Sequence, residues 1–447
     1  MGTTSLIMTD SIFKSYDIRG VYPQQIHEEI GYLIGRSLVL YLTAKQVVIG
    51  RDCRLSSPAL ADAVIRGVRD QGADVIEIGL TSTPMFYFAV IHTHAPAGIM
   101  VTASHNPKAY NGFKLIREHA IPLSDQSGIR QIEQMIRMGL PHHPNKKGLL
   151  RSTSLLQQYT DFILLHTKIS RKLKIVVDSG NGMAGLTFPE VYKNLPLQII
   201  HLYKNLDGEF PNHEPDPLNS ENLRAICAEV RLQKADLGLA FDADADRIIF
   251  IDEHGIPISS DYILILLAKQ LHKNDPTARF IYDCRSTQVI AEEFGPLAII
   301  HRVGHAFIKQ SMRSQQIPLA GEISGHFYFK ESFFVDDAVL AAVKILTILS
   351  AQDAPISTLI KPFQRYIRSG EINLKVENPA ACVTYVHNYF KNEKIETIDG
   401  ITVHGSDWWA NVRASNTEPL LRICIEARTK KLLDEKLEVL KTIVTTN

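Results

Sequence analysis

Apolar runs of strand length recur along this chain and alternate with amphipathic stretches of helical period, which constrains the fold more than any other feature. The runs are QVVIGRD (46–52), ADVIEIGL (73–80), LKIVVDSG (173–180), LQIIHLY (197–203), LGLAFDAD (237–244) and RFIYDC (279–284). Between them lie helical patterns such as SPALADAVIRGVRDQG (57–72) and SENLRAICAEVRLQ (220–233). Strand, helix, strand in succession implies βα units and largely parallel sheets. The unit restarts near 173 and near 279, with a polar linker MGLPHHPNKKGLLRSTS (138–154) before the first restart, so three related α/β domains are expected. From about 366 the character changes. GEINLKVENP leads into a helix, and GITVHGSDWWANVRASNTEPLLRICIEAR then frames a polar loop with short strands, as in a smaller α+β domain. The expected domains are 1–152, 153–253, 254–365 and 366–447.

A chain of 447 residues exceeds what one core normally serves, and a 45% hydrophobic share supplies several. Lys plus Arg and Asp plus Glu each number 48, so no global field favours nucleic acid or an anionic membrane. Any anion must be held by local clusters. The five cysteines (Cys53, Cys227, Cys284, Cys382, Cys424) are scattered and form no CxxC pair, against a disulfide framework or a zinc site. The beginning, MGTTSLIMTDSIFKSYDIRG, has no basic start, and Leu6 stands where myristoylation needs Ser or Thr. No apolar run approaches the roughly 20 residues of a bilayer span. A soluble cytoplasmic monomer acting on small molecules is expected.

Four segments carry chemistry. VTASHNPKAYNGFK (101–114) places Ser104, His105, Lys108 and Lys114 where the buried run AGIMVTA ends, the edge at which parallel sheets keep their chemistry. Ser, Asn, Pro and Gly also build ordinary turns, so this segment alone leaves a long loop as the alternative. FDADADR (241–247) alternates Asp242, Asp244 and Asp246 directly behind an apolar strand. Three carboxylates so close ionise together only around a cation, and an all-oxygen set suits a hard ion such as magnesium. An EF-hand is excluded, because Arg247 takes the position that needs glycine and IIFI continues as a strand. AGEISGHFYF (320–329) joins Glu322, Ser324 and His326 on a glycine-supported loop that suits a polyol, or an ordinary turn. RASNTEP (413–419) gathers Arg413, Ser415, Asn416 and Thr417, donors suited to a phosphate and equally to a helix cap. GNGMAG (180–185) matches a dinucleotide signature formally, but the next strand ends at Lys204 and Asn205 instead of a ribose-binding acid.

With these segments in order, the chain resembles the α-D-phosphohexomutase family, most closely its bacterial phosphomannomutase/phosphoglucomutase members. SYDIRGVYP (15–23), GRDCRLSSP (50–58), TASHNP (102–107), YNGFK (110–114), DGEFPNHEPDP (207–217), FDADADR, GEISGH and RASNTEP carry the resemblance along essentially the whole chain. It implies three α/β domains and a C-terminal α+β domain around a central cleft. It implies that Ser104 carries a phosphoryl group, with magnesium between Asp242, Asp244, Asp246 and a phosphoserine oxygen. Glu322, Ser324 and His326 would meet the sugar, and Arg413, Ser415, Asn416 and Thr417 the phosphate that is not reacting. Tyr16, Arg19, Arg247 and His305 match active-site positions, Arg19, Lys114 and His305 for proton or charge handling, and His105 beside the serine. The implied reaction interconverts hexose 1-phosphate and 6-phosphate of mannose, and of glucose, through a hexose 1,6-bisphosphate that also serves as activator.

The chain departs from the family pattern at Ala243 and Ala245, where the metal loop usually has glycines, and at Arg285, usually lysine. Cys53 and Val303 replace glycine and threonine. An alanine held at positive φ costs about 1–2 kcal/mol. Arg285 keeps its charge and changes its shape, so it is a substrate-preference position. Two alternatives remain: a phosphoglucosamine mutase, against which Ala414, Asn416 and Ile323 speak, and a non-catalytic sugar-phosphate binder, against which Ser104 and the three aspartates speak.

Overall fold

A computed structural model describes residues 12–414 and 420–446. The chain divides into two compact units, one of residues 1–259 and 324–356, the other of 260–323 and 357–447. Three α/β assemblies and a C-terminal antiparallel sheet account for the strands.

In the first unit, the leading sheet runs Ile18–Val21, Tyr110–Arg117, Ala97–Val101, Gln46–Arg51, Asp74–Leu80, Leu150–Ser152. Gln46–Arg51 lies parallel to both Asp74–Leu80 and Ala97–Val101, as the βα pattern requires. Tyr110–Arg117 returns antiparallel beside Ala97–Val101, so the sheet is mixed. Helices Glu28–Leu42 and Ser57–Asp70 close one face over Ile34, Leu38, Val64 and Val68. Thr83–His92 is apolar all round and buried for most of its length, and Ser82 caps it by accepting from Met85 N at 3.3 Å.

The second sheet of this unit orders Pro257–Ile258, Ile248–Ile251, Leu237–Phe241, Leu173–Asp178, Leu197–Leu202. Its three apolar strands are parallel, and Ile248–Ile251 folds back antiparallel on Leu237–Phe241. The hairpin connection is the acidic loop 242–247. The GNG turn after Leu173–Asp178 packs on that loop: Met183 N donates to Ala243 O at 2.7 Å, and a Cβ on Gly182 would lie 2.6 Å from the same oxygen. Gly182 thus serves a close backbone approach to the acidic loop.

In the second unit, Phe280–Asp283 is parallel to Ala298–His301 and to Leu319–Gly321, flanked by helices Ser260–Asn274 and His305–Gln315. The C-terminal sheet orders Ile367–Lys375, Leu420–Ala427, Trp408–Ala414, Ile401–His404, Lys394–Glu396, all antiparallel. Helices Pro379–Tyr389 and Lys430–Thr446 cover its apolar face through Val386, Leu433 and Leu440. No described helix is long and apolar enough to cross a membrane.

Candidate active site

Two sheet edges meet in the first unit. The fully buried strand Ala97–Val101 ends at Thr102, and Ser104 follows with φ 47°, in the left-handed region. Leu237–Phe241 ends at Asp242. The Ser104 hydroxyl donates to Asp242 Oδ2 at 2.8 Å, which joins the two loops that the sequence singled out separately. Among the described residues, Asp242, Asp244 and Asp246 are all buried and offer carboxylate oxygens within 4.8 Å of one another.

The electrostatics follow from that crowding. Burial, then Asp246 and Asp244, push the Asp242 carboxyl well above its ordinary range. Burial also pushes Asp246 up, but the Lys114 ammonium, with the Arg247 guanidinium, outweighs it and holds the group at about 2. Lys114 bonds Asp246 and sits 3.0 Å from Asp244 Oδ2, and these two carboxylates keep it protonated against its burial. Lys114 lies mid-strand, carried in by Tyr110–Arg117. Two buried oxygens, Asp244 Oδ1 and Asp246 Oδ1, have no hydrogen-bond partner. Orphaned, hard, anionic oxygens beside a third carboxylate that accepts from a serine are the donor set a magnesium ion takes, so these residues fit that metal.

Further groups line the same cluster. His105 Nδ1 is 3.4 Å from Ser104 Oγ, and burial with Arg247 and Arg19 nearby holds its ring well below the usual histidine range. Arg19 bonds both Asp17 and the Asn106 side chain. Arg247 Nε donates to His326 Nε2 at 2.9 Å, so the ring proton belongs on Nδ1, which faces Asp336 Oδ2 at 3.2 Å and Asp246 Oδ1 at 3.8 Å. Tyr16 and Ser324 are half-buried residues of this unit.

The second unit gathers its own cluster. Arg285 forks onto Asp283, Nε to Oδ1 at 3.2 Å and Nη2 to Oδ2 at 2.8 Å, and lies 3.9 Å from Glu322 Oε1. Its Nη1 is 3.6 Å from Glu371, which Arg413 reaches at 2.9 Å and Arg422 at 3.3 Å. His305 opens helix His305–Gln315, and the preceding Gly304 N donates to Glu322 Oε1 at 3.1 Å. Ser415, Asn416 and Thr417 lie outside the described residues.

Sequence reasoning missed several members. Thr83 Oγ1 donates to Asp244 Oδ2 at 2.7 Å, and Thr102 Oγ1, 3.4 Å from that oxygen, accepts from Ser104 N at 3.0 Å. Thr83 sits at the start of an apolar helix with no local signal of chemistry, whereas Thr102 lay inside the quoted TASHNP. Glu371, Arg422 and Asp336 are scattered charges that only the fold brings into place.

Comparison with known proteins covers almost the whole chain. Models of phosphoglucomutase/phosphomannomutase match in order: α/β/α domain I at residues 10–140, domain II at 156–255, domain III at 259–366 and the C-terminal domain at 371–440. A phosphomannomutase of Escherichia coli is 37% identical over 437 residues, covering 94% of this chain and 96% of that one. A phosphoglucomutase of Neisseria gonorrhoeae is 34% identical over 453 residues, covering 98% of each. The crystal structure of a phosphoglucomutase/phosphomannomutase family protein from Burkholderia thailandensis superposes with a TM-score of 0.90 at 31% identity, covering 98% of this chain and 97% of that one.

Proposed function

The chain belongs to the phosphoglucomutase/phosphomannomutase family of isomerases, and from that premise we propose that it interconverts hexose 1-phosphate and hexose 6-phosphate through a phosphoserine at Ser104. Mannose phosphates are the principal substrates and glucose phosphates are accepted. The observation that carries this reading is the Ser104 hydroxyl seated on Asp242 among three buried carboxylates and a protonated lysine.

In the first half-reaction the bond between phosphorus and Ser104 Oγ breaks as the free hydroxyl of the sugar phosphate bonds to phosphorus, giving a 1,6-bisphosphate. The proton lost by the sugar hydroxyl is matched in the same half-reaction by the one Ser104 Oγ gains, and the return of the second phosphate to Ser104 reverses both. His105 Nδ1, 3.4 Å from Oγ, is the ring atom placed to exchange the serine's proton. Lys114, Arg247 and Arg19 neutralise charge as the phosphoryl group leaves and returns. Asp242, Asp244 and Asp246, with a phosphoserine oxygen, would hold a magnesium ion, which would supply further charge neutralisation. Glu322, Ser324 and His326 meet sugar hydroxyls, with Tyr16, Arg285 and His305 as further substrate contacts. Arg413 grips the distal phosphate with Ser415, Asn416 and Thr417. Exchange of the two phosphates requires the bisphosphate to turn around shielded from water.

The test is magnesium-dependent conversion of mannose 1-phosphate, glucose 1-phosphate and glucosamine 1-phosphate in parallel, primed by catalytic hexose 1,6-bisphosphate. Turnover of the first two with little of the third is expected. Dominant glucosamine 1-phosphate turnover, or none with any sugar by the folded protein, defeats the reading.

A further inference from the structure

The mechanism above leaves GRDCRLSSP (50–58) unused, yet its Arg54 is fully buried. A guanidinium out of water is costly unless every donor is met. Arg54 meets all five: Nε donates to Asp52 Oδ2 at 3.2 Å, Nη1 to the carbonyls of Pro107 at 2.9 Å and Tyr110 at 3.1 Å, and Nη2 to those of Asn106 at 2.7 Å and Ser104 at 2.5 Å. Four of the five donors therefore end on the backbone of the segment that presents Ser104.

The surroundings hold the guanidinium in turn. Asp52 Oδ1 accepts from Arg54 N at 3.0 Å and from the Ser57 hydroxyl, and Asn111 Nδ2 donates to Ser56 and Ser57 at 2.7 and 3.0 Å. The Phe210 ring centre lies 5.2 Å from Arg54 Cζ. Gly208 permits that contact, because a Cβ there would lie 2.5 Å from Cys53 O. Ser104 meanwhile keeps a left-handed φ of 47°, which a side chain with a Cβ does not hold unaided.

We propose that Arg54 is a positioning residue for phosphoryl transfer, its planar guanidinium being the template on which the carbonyls of residues 104, 106, 107 and 110 are set. The inference rests on the mutase reading above. Ser104 alternates between hydroxyl and phosphate ester, and its loop must return to one geometry after each half-reaction. Drawing the Ser104 carbonyl back onto Arg54 fixes the peptide plane, and with it the direction of Oγ towards Asp242. Lysine has three donors and no plane, so it cannot hold four carbonyls and a carboxylate together.

Arg54→Lys and Asp52→Asn, beside the wild type, test this by kcat and KM for glucose 1-phosphate, phosphoryl uptake on Ser104 by intact mass, and melting temperature. Arg54→Lys is expected to lower kcat roughly thirtyfold with KM within about threefold, and to slow phosphoryl uptake by the same factor. Asp52→Asn should act in the same direction by about fivefold. A folded Arg54→Lys whose kcat stays within about threefold of the wild type overturns the proposal. So does activity lost only in proportion to unfolded protein, because a purely structural role lowers the active fraction and not the turnover of each folded molecule. If Arg54→Lys does not fold, an unchanged kcat in Asp52→Asn overturns it. A wild type that neither turns over nor takes up a phosphoryl group defeats the mutase reading itself, which keeps the two failures apart.

Discussion

The Ser104 hydroxyl donates to Asp242 at 2.8 Å across 138 residues of sequence. One end of that bond leaves a mixed sheet at the strand Ala97–Val101, the other leaves a parallel strand at Phe241. The Ser104 oxygen is therefore placed by the packing of two assemblies that each have their own apolar core. In Ser104→Ala the carboxylates, Lys114 and Arg247 remain, and only the oxygen proposed to carry phosphate is lost. Turnover is expected to vanish while the affinity for a hexose phosphate, read by calorimetry, stays within about threefold. Near-normal turnover in this variant would contradict the phosphoserine mechanism.

Magnesium should stabilise the fold as well as support turnover. Among the three buried carboxylates two oxygens are orphaned and Lys114 offsets only part of the crowding, so a divalent cation among them should relieve the remaining repulsion. At about 100 times its dissociation constant, a ligand that binds only the folded form adds about 2.7 kcal/mol. Melting in excess magnesium should therefore exceed melting in chelator, and Asp244→Asn should lose most of that difference. An equal shift in the variant would place the ion elsewhere.

The two alanines of the acidic loop are predicted to differ. Ala245 has φ 57° and Ala243 does not share that conformation, although both are fully buried. Replacing either by glycine removes a buried methyl, about 0.8 kcal/mol, and adds backbone freedom, about 0.5–1 kcal/mol. At Ala245 the relief of about 1–2 kcal/mol of left-handed strain offsets both. Ala245→Gly should thus unfold within about 1 kcal/mol of the wild type, and Ala243→Gly about 1.3–1.8 kcal/mol below it, in denaturant titrations. Equal losses would show that φ at 245 carries no strain.

The strands that place the chemistry were legible because their apolar runs are continuous: Leu173–Asp178 and Leu237–Phe241 lie where LKIVVD and LGLAF predict them. So were Ser104 and the aspartates, which stand where such runs stop. YNGFKLIR was harder to read. Its polar residues read as part of a loop, yet it is a strand in which Asn111 and Lys114 are buried, because their partners Ser56, Ser57, Asp244 and Asp246 come from other segments. Local pattern cannot show a charge whose counterion is 130 residues away. Arg54 illustrates the same limit: its motif was visible, but four carbonyls converge on it only after two loops have folded.

Arg285→Lys should weaken the second unit. The guanidinium forks onto Asp283 with two donors while extending a third towards Glu371, and burial makes each bond count. A lysine keeps one contact with Asp283 and leaves the Glu371 carboxylate to Arg413 and Arg422 alone. Losing one charge-assisted bond at a buried site costs about 1.5–3 kcal/mol. The denaturation midpoint should fall accordingly, and the ratio of mannose to glucose turnover should change with it, because Arg285 also lies beside Glu322. Unchanged stability and unchanged ratio together would show the fork to be dispensable.

Asp337 predicts how stability depends on pH. It caps helix Ala338–Ser350, with Oδ1 accepting from Leu340 N and from the Tyr159 hydroxyl, both at 2.9 Å. Burial, reinforced by the neighbouring Asp336, raises its pKa from 3.8 to about 7 despite those two bonds. In the unfolded chain the group ionises near its ordinary value, whereas in the fold it stays protonated until about 7. Its contribution is therefore complete below pH 4 and is lost as pH rises towards 7, up to about 4 kcal/mol over the window. Asn at this position keeps a cap oxygen and cannot ionise. Unfolding free energies of wild type and Asp337→Asn, measured from pH 4.5 to 7.5, should diverge, with the wild type losing ground to the variant as pH rises. Parallel curves would mean that Asp337 ionises in the fold as it does in the open chain, and that the helix cap carries a full charge throughout.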